Sequence, residues 1–102
     1  MRIFFSNQKV KGFIESLPLV IKTVVSADLD DLATENYKLR MPHSRSLGGG
    51  LFELRIVDIQ HVRFLYTFHS GHIYLLHGFF KKTNRISRHD LGYARKQLKN
   101  LK

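Results

Sequence analysis

Residues 47–55 read L-G-G-G-L-F-E-L-R, residues 63–68 read R-F-L-Y-T-F, and residues 72–83 read H-I-Y-L-L-H-G-F-F-K-K-T. Phe52, Leu54 and Ile56 alternate with Glu53, Arg55 and Val57. Val62, Phe64, Tyr66 and Phe68 alternate with Arg63, Leu65, Thr67 and His69. This period of two is what a strand with one buried face requires. Ser70-Gly71 supplies a short hairpin turn, and Ile73 to Phe80 is apolar apart from His77, as befits the centre of a sheet. Charged side chains in half-buried strands must leave the apolar face. Arg55 and Arg63 lie inside strands, and Lys81 and Lys82 end the third run, so cations from three strands can gather on one surface.

Upstream, Gly48-Gly49-Gly50 turns the chain into the first of these strands. It is not a phosphate-binding P-loop, because no Gly-Lys-Ser/Thr follows and the next element is a strand. Thr34 to Leu47 reads as a polar connection, with Pro42 disfavouring helix at Met41. Asn7 to Leu17 reads as a helix, with Asn7 as N-cap and Val10, Phe13, Ile14 and Leu17 at helical spacing. Pro18 suits the first turn of a second helix. Leu19, Ile21, Val24, Val25, Leu29 and Leu32 form its stripe, although the β-branched run Val20–Val25 also permits a strand. Arg2–Phe5 fits a short edge strand. Downstream, Ser87 and Asp90 have capping-box spacing. Leu91, Ala94, Leu98 and Leu101 follow at helical intervals, with Arg88, Arg95, Lys96, Lys99 and Lys102 around them. The expected class is α+β in one domain, 1–102: a small antiparallel sheet, an N-terminal helical hairpin and a C-terminal helix.

Charge is unevenly placed. Residues 1–35 hold 4 Lys/Arg and 5 Asp/Glu, whereas residues 36–102 hold 13 and 3. A polyanionic partner, nucleic acid first, is therefore expected to meet the C-terminal two-thirds. The absence of cysteine excludes disulfides and thiolate metal sites. It fits a soluble cytoplasmic protein, and no apolar run is long enough to span a membrane.

Arg55, Arg63, Lys81 and Lys82 can hold a scissile phosphate and its developing charge. Cleavage by the neighbouring 2′-hydroxyl needs in-line geometry, charge stabilisation, a base and an acid. The alternative for Arg55 is a surface pairing with Glu53 or Asp58. No metal is expected, since His43, His61, His69, His72, His77 and His89 lack a metal-binding spacing. His77 is either an acid or base, or a core histidine bonded to its surroundings. Tyr66, Tyr74 and Phe80 are the candidates for base stacking, although Tyr66 shares a face with core phenylalanines. His43 lies on the polar connection within possible reach of the site.

The order L-x-x-G-L-F-E-L-R, R-F-L-Y-x-F, L-L-H-G-F-x-K-K-T and a final basic helix resembles the RelE/HigB superfamily of bacterial toxins, in its phage-related HigB-like branch. The likeness covers roughly Met41 to Leu98. It implies a RelE-like fold, a curved antiparallel sheet with helices on one face. It also implies a ribosome-dependent mRNA endonuclease that cleaves message in the A site by 2′-hydroxyl attack, without a metal or other cofactor. The implied partners are the ribosome, mRNA and a helix-turn-helix antitoxin through which operator DNA is reached. By the same resemblance, Arg55, Arg63, Lys81, Lys82 and His77 are the catalytic candidates. Arg45, Arg85, Tyr66 and His43 are the RNA-binding candidates. Two alternatives stay open: a ParE-like gyrase poison and a basic RNA-binding module.

Overall fold

The structure is a computed structural model that describes residues 1–59 and 61–101. Lys102, expected on the last helix, and Gln60, in the connection before the second long strand, lie outside the described residues. The chain runs β1 (Ile3–Phe5), α1 (Gln8–Glu15), α2 (Leu19–Glu35), a 3-10 turn (Asn36–Lys38), β2 (Ser44–Gly48), β3 (Leu51–Arg55), β4 (Val62–His69), β5 (His72–Phe80) and α3 (Arg88–Lys99). The strands form one sheet in the order β1-β5-β4-β3-β2. All neighbours are antiparallel except β1, which runs parallel to β5. This architecture is α+β and consistent with a RelE-like fold.

The side chains of Asn7 and Ser87 start two of the helices. Asn7 Oδ1 accepts from the Val10 amide at 2.9 Å, and Ser87 Oγ accepts from the Asp90 amide at 3.1 Å. Each satisfies an amide that the first helical turn leaves without a backbone partner. Residues 19–35 are helical despite their β-branched run, because the helical stripe buries Val25 and Leu32 and brings Ile21, Val24 and Leu29 onto the same core. Packing of that stripe outweighs the small propensity penalty of valine and isoleucine.

The two faces of the sheet carry different helices. Leu54, Phe64, Tyr66, Ile73 and Leu75 pack with Val10, Leu17, Val25 and Leu32 of the N-terminal helices and their junction. Leu51, Leu65, Leu76 and Phe79 pack with Ala94, Leu91 and Leu98 of α3. The expectation of helices on one face is thus corrected. Adjacent strand residues such as Phe64, Leu65 and Tyr66 are all fully buried, which requires an apolar layer on each side.

Ser44–Gly48, expected within a connection, is an edge strand. Its sequence S-R-S-L-G carries little strand propensity, and its pairing to β3 decides its conformation. Gly48, which ends this strand, and the two glycines that follow all have positive φ, between 63° and 89°, so the trio makes the turn that the sequence indicates. A further irregularity lies in β5. Leu65 pairs with His77 but Tyr66 pairs with Leu75, so Leu76 is an extra residue. This β-bulge puts Leu76 and His77 on the α3 side and brings Gly78 against Phe13 and Phe64.

Candidate functional site

The register of β2, β3 and β4 builds a tile of charge on the α3 side of the sheet. Arg45 stands opposite Glu53, Arg55 follows Glu53 by two residues, and Arg63 stands opposite Arg55. Glu53 is 0% exposed. Its Oε1 lies 2.8 Å from Arg45 Nε and 3.3 Å from Arg55 Nε, and its Oε2 lies 3.4 Å from Arg63 Nε. The Arg63 guanidinium also donates through Nη1 to the Val62 carbonyl at 3.2 Å. Lys81 is anchored by its amide, which bonds to the His61 carbonyl.

Electrostatics ties these groups together. Burial pushes the Glu53 carboxyl up, but hydrogen bonds and charge from Arg45 and Arg55 outweigh it and hold the group below its ordinary range. Burial lowers the Lys81 ammonium, and the positive charges of Arg63, Arg55 and Arg45 lower it further against the pull of Glu53. Burial also lowers Arg63, with Glu53 opposing. Three arginines therefore share one carboxylate with Lys81 in their field, and the four cations and one acid carry a surplus of three positive charges. Arg55 and Arg63 open onto a cleft of about 190 Å³ that they line with Pro42, Ile56 and Val57. A surplus of guanidinium charge beside an open cleft has the charge and the donor geometry to hold a phosphate.

The sequence-derived candidates divide clearly. Arg55, Arg63 and Lys81 come together as expected, and Arg45 joins them instead of lying apart as a separate RNA contact. Lys82 and Arg85 are exposed on the connection after β5, and neither is a leading cause of the shifts at Glu53, Arg63 or Lys81. His43 is exposed just before β2; its carbonyl accepts from the Arg55 amide at 2.8 Å, while the residue lines a small pocket with Asp28 and Asp31 of α2.

Two candidates lie elsewhere. Tyr66 is 1% exposed, and its hydroxyl is 2.5 Å from Ser44 Oγ. It is a core residue and presents no face to a base. His77 is 3% exposed beneath α3. Asp90 Oδ1 accepts from its Nε2 at 2.7 Å, Phe79 stacks on it, and Tyr93 lies 4.8 Å away between ring centroids. Burial lowers its pKa more than Asp90 raises it. The neutral ring belongs to the junction of β5 and α3, on the same face of the sheet as the guanidiniums but bonded to Asp90 instead of Glu53. Of the aromatic candidates, Phe80 alone is well exposed, at 44%, with His61 stacked on it. Tyr74 is half-buried against Phe4.

The residue that sequence reasoning undervalued is Glu53. Its signal is visible: an acid on the same strand phase as Arg55, in a strand otherwise built of large apolar residues. What the sequence could not show is that β2 pairs there and brings Arg45 opposite. Among the described residues no group of histidines and acids has a metal-binding arrangement.

Fold and site together define a small α+β protein with a cluster of cations around a buried glutamate at one end of its sheet. Residues 12–99 match the family model described as Phage derived protein Gp49-like (DUF891). The chain therefore belongs to the Gp49-like family of phage-derived proteins, a family associated with RelE-like toxins. Comparison with curated proteins returns no match. Among the described residues no helix is long and apolar enough to cross a membrane.

Proposed function

We propose that this Gp49-like chain is the HigB-like toxin of a toxin–antitoxin pair, and that it cleaves mRNA on the ribosome in the cytoplasm. The observation that carries this reading is the convergence of Arg45, Arg55, Arg63 and Lys81 around one buried carboxylate beside an open cleft. The 2′-hydroxyl of the message gives up its proton to solvent water and attacks the adjacent phosphorus, and the bond to the 5′-oxygen of the next nucleotide breaks. The products are a 2′,3′-cyclic phosphate and a 5′-hydroxyl end. Arg55 and Arg63 neutralise the charge that grows on the phosphate oxygens in the transition state. Lys81, whose lowered pKa makes it a readier proton donor, protonates the leaving oxygen. The exposed cations Lys82 and Arg85 hold RNA through salt-dependent contacts. A helix-turn-helix antitoxin neutralises the protein and links it to operator DNA.

Primer extension on a message under translation tests the reading. The wild-type chain yields new 5′ ends within codons, and Arg63→Ala, folded by circular dichroism, yields none. An intact message with gyrase-dependent DNA breaks supports a ParE-like poison instead. Salt-dependent RNA binding with no cleavage supports a simple RNA-binding module.

A further inference from the structure

Glu53 is an expensive residue to keep. A carboxylate with no exposed surface loses its hydration, and buried ion clusters often stabilise a fold no better than apolar residues of the same size. Its neighbours on the same face include Leu51 and Leu65, which an apolar side chain would extend. The position of the carboxylate therefore calls for an explanation beyond packing.

The geometry supplies one. Glu53 contacts each of the three arginines at Nε. Among the described residues no hydrogen bond uses the terminal Nη atoms of Arg45 or Arg55. A guanidinium has five N–H donors in a rigid plane, so fixing it at Nε orients the remaining fork without occupying it. The carboxylate also separates charges that would repel, since Arg55 and Arg63 are direct cross-strand partners. Glu53 cannot act as a base towards substrate, because it has no exposed surface and is held ionised by Arg45 and Arg55.

We infer that Glu53 is a positioning residue, which fixes Arg45 and Arg55 by hydrogen bonds at their inner edges and draws Arg63 to them as an ion pair, so that the remaining guanidinium donors meet a phosphodiester in one set geometry. The inference rests on the nuclease reading for its substrate, but not for its anion chemistry.

Its signature is a split between binding and rate. Glu53→Gln removes one negative charge and raises the surplus from three to four. RNA affinity then holds or rises and its salt dependence steepens, while single-turnover cleavage falls about 10²-fold because the guanidiniums lose their alignment. Glu53→Asp keeps the charge but withdraws the carboxylate by one methylene. Here affinity stays near wild type and the rate falls by at least about tenfold. A purely structural role would lower affinity and rate together with the folded fraction. A simple counter-charge would let affinity and rate rise together in Glu53→Gln and leave Glu53→Asp at wild-type rate. Either pattern overturns the inference. If Glu53→Gln does not fold, Glu53→Asp decides alone.

A second measurement separates this inference from the nuclease reading. Inorganic phosphate is titrated against chloride at equal ionic strength while thermal unfolding is followed. Phosphate should raise the melting temperature of the wild type, and the increment should be lost in Glu53→Asp, because a lone phosphate depends on the aligned donors of this cluster, whereas an RNA strand is held by cations along the whole surface. An increment unchanged in Glu53→Asp, or absent in the wild type, overturns the positioning role. If phosphate behaves as expected and no message is cut, the nuclease reading fails while Glu53 keeps its role.

Discussion

His77 and Asp90 join β5 to the first turn of α3 through a 2.7 Å hydrogen bond. Asp90 also accepts from Ser87 Oγ at 2.7 Å, so the cap of α3 and its attachment to the sheet share one carboxylate. Burial leaves His77 neutral at physiological pH, while the bonds from His77 and Ser87 overcome burial and lower Asp90.

The sign of the pH dependence follows. The folded His77 pKa is depressed below its unfolded value, so the unfolded chain binds more protons in that range. Its contribution to stability is complete above about pH 6.5 and is lost as pH falls through the folded pKa. Asp90, also depressed, loses its contribution at lower pH, below about 3.9. The melting temperature should therefore fall as pH drops from 7 towards 5. His77→Leu should flatten part of that slope while costing about 1–2 kcal/mol at pH 7. An unchanged slope in the variant would sink the assignment.

Tyr66→Phe separates core from RNA surface. The substitution leaves the Ser44 hydroxyl buried without its partner. Chemical denaturation should show a loss of about 1–2 kcal/mol, on the order of 5–10 °C in melting temperature. Affinity for single-stranded RNA should match that of the wild type, and a loss of affinity in the folded variant would contradict the buried placement.

Gly78→Ala tests the close approach of β5 to α1. A Cβ at this position would stand 2.5 Å from Phe13 Cδ2 and 2.8 Å from Phe64 Cε1. Both rings belong to the core, so they must shift, at a cost of about 1–3 kcal/mol. A variant as stable as the wild type would show that the strand and helix pack more loosely.

Lys81 and Lys82 are adjacent but should differ in kind. Lys81 lies within the field of Glu53, Arg63, Arg55 and Arg45, whereas Lys82 is exposed. Lys81→Ala should lower single-turnover cleavage by about 10²-fold. Lys82→Ala should reduce the salt slope of RNA binding by about 0.7 per lost phosphate contact, with little change in rate at saturating protein. Equal rate losses would remove the distinction.

Much of the fold was legible in short-range pattern. Alternation in residues 51–57 and 62–69 specifies two strands and their faces, because the pleat sends successive side chains to opposite sides. Asn7 and Ser87 mark helix starts because the first amides of a helix need side-chain acceptors. The excess of cations after residue 36 makes the C-terminal two-thirds strongly positive by composition alone. Other features depend on pairing between distant segments. Ser44–Gly48 becomes a strand only because β3 offers a ladder, and that pairing sets Arg45 opposite Glu53. The bulge at Leu76 puts His77 on the α3 face of the sheet, where it bonds to Asp90 of α3 and takes no part in the Glu53 cluster. Local spacing determines which way a side chain leaves its own strand. Which charges then share a buried carboxylate is decided by register across strands, and register is a property of the assembled sheet.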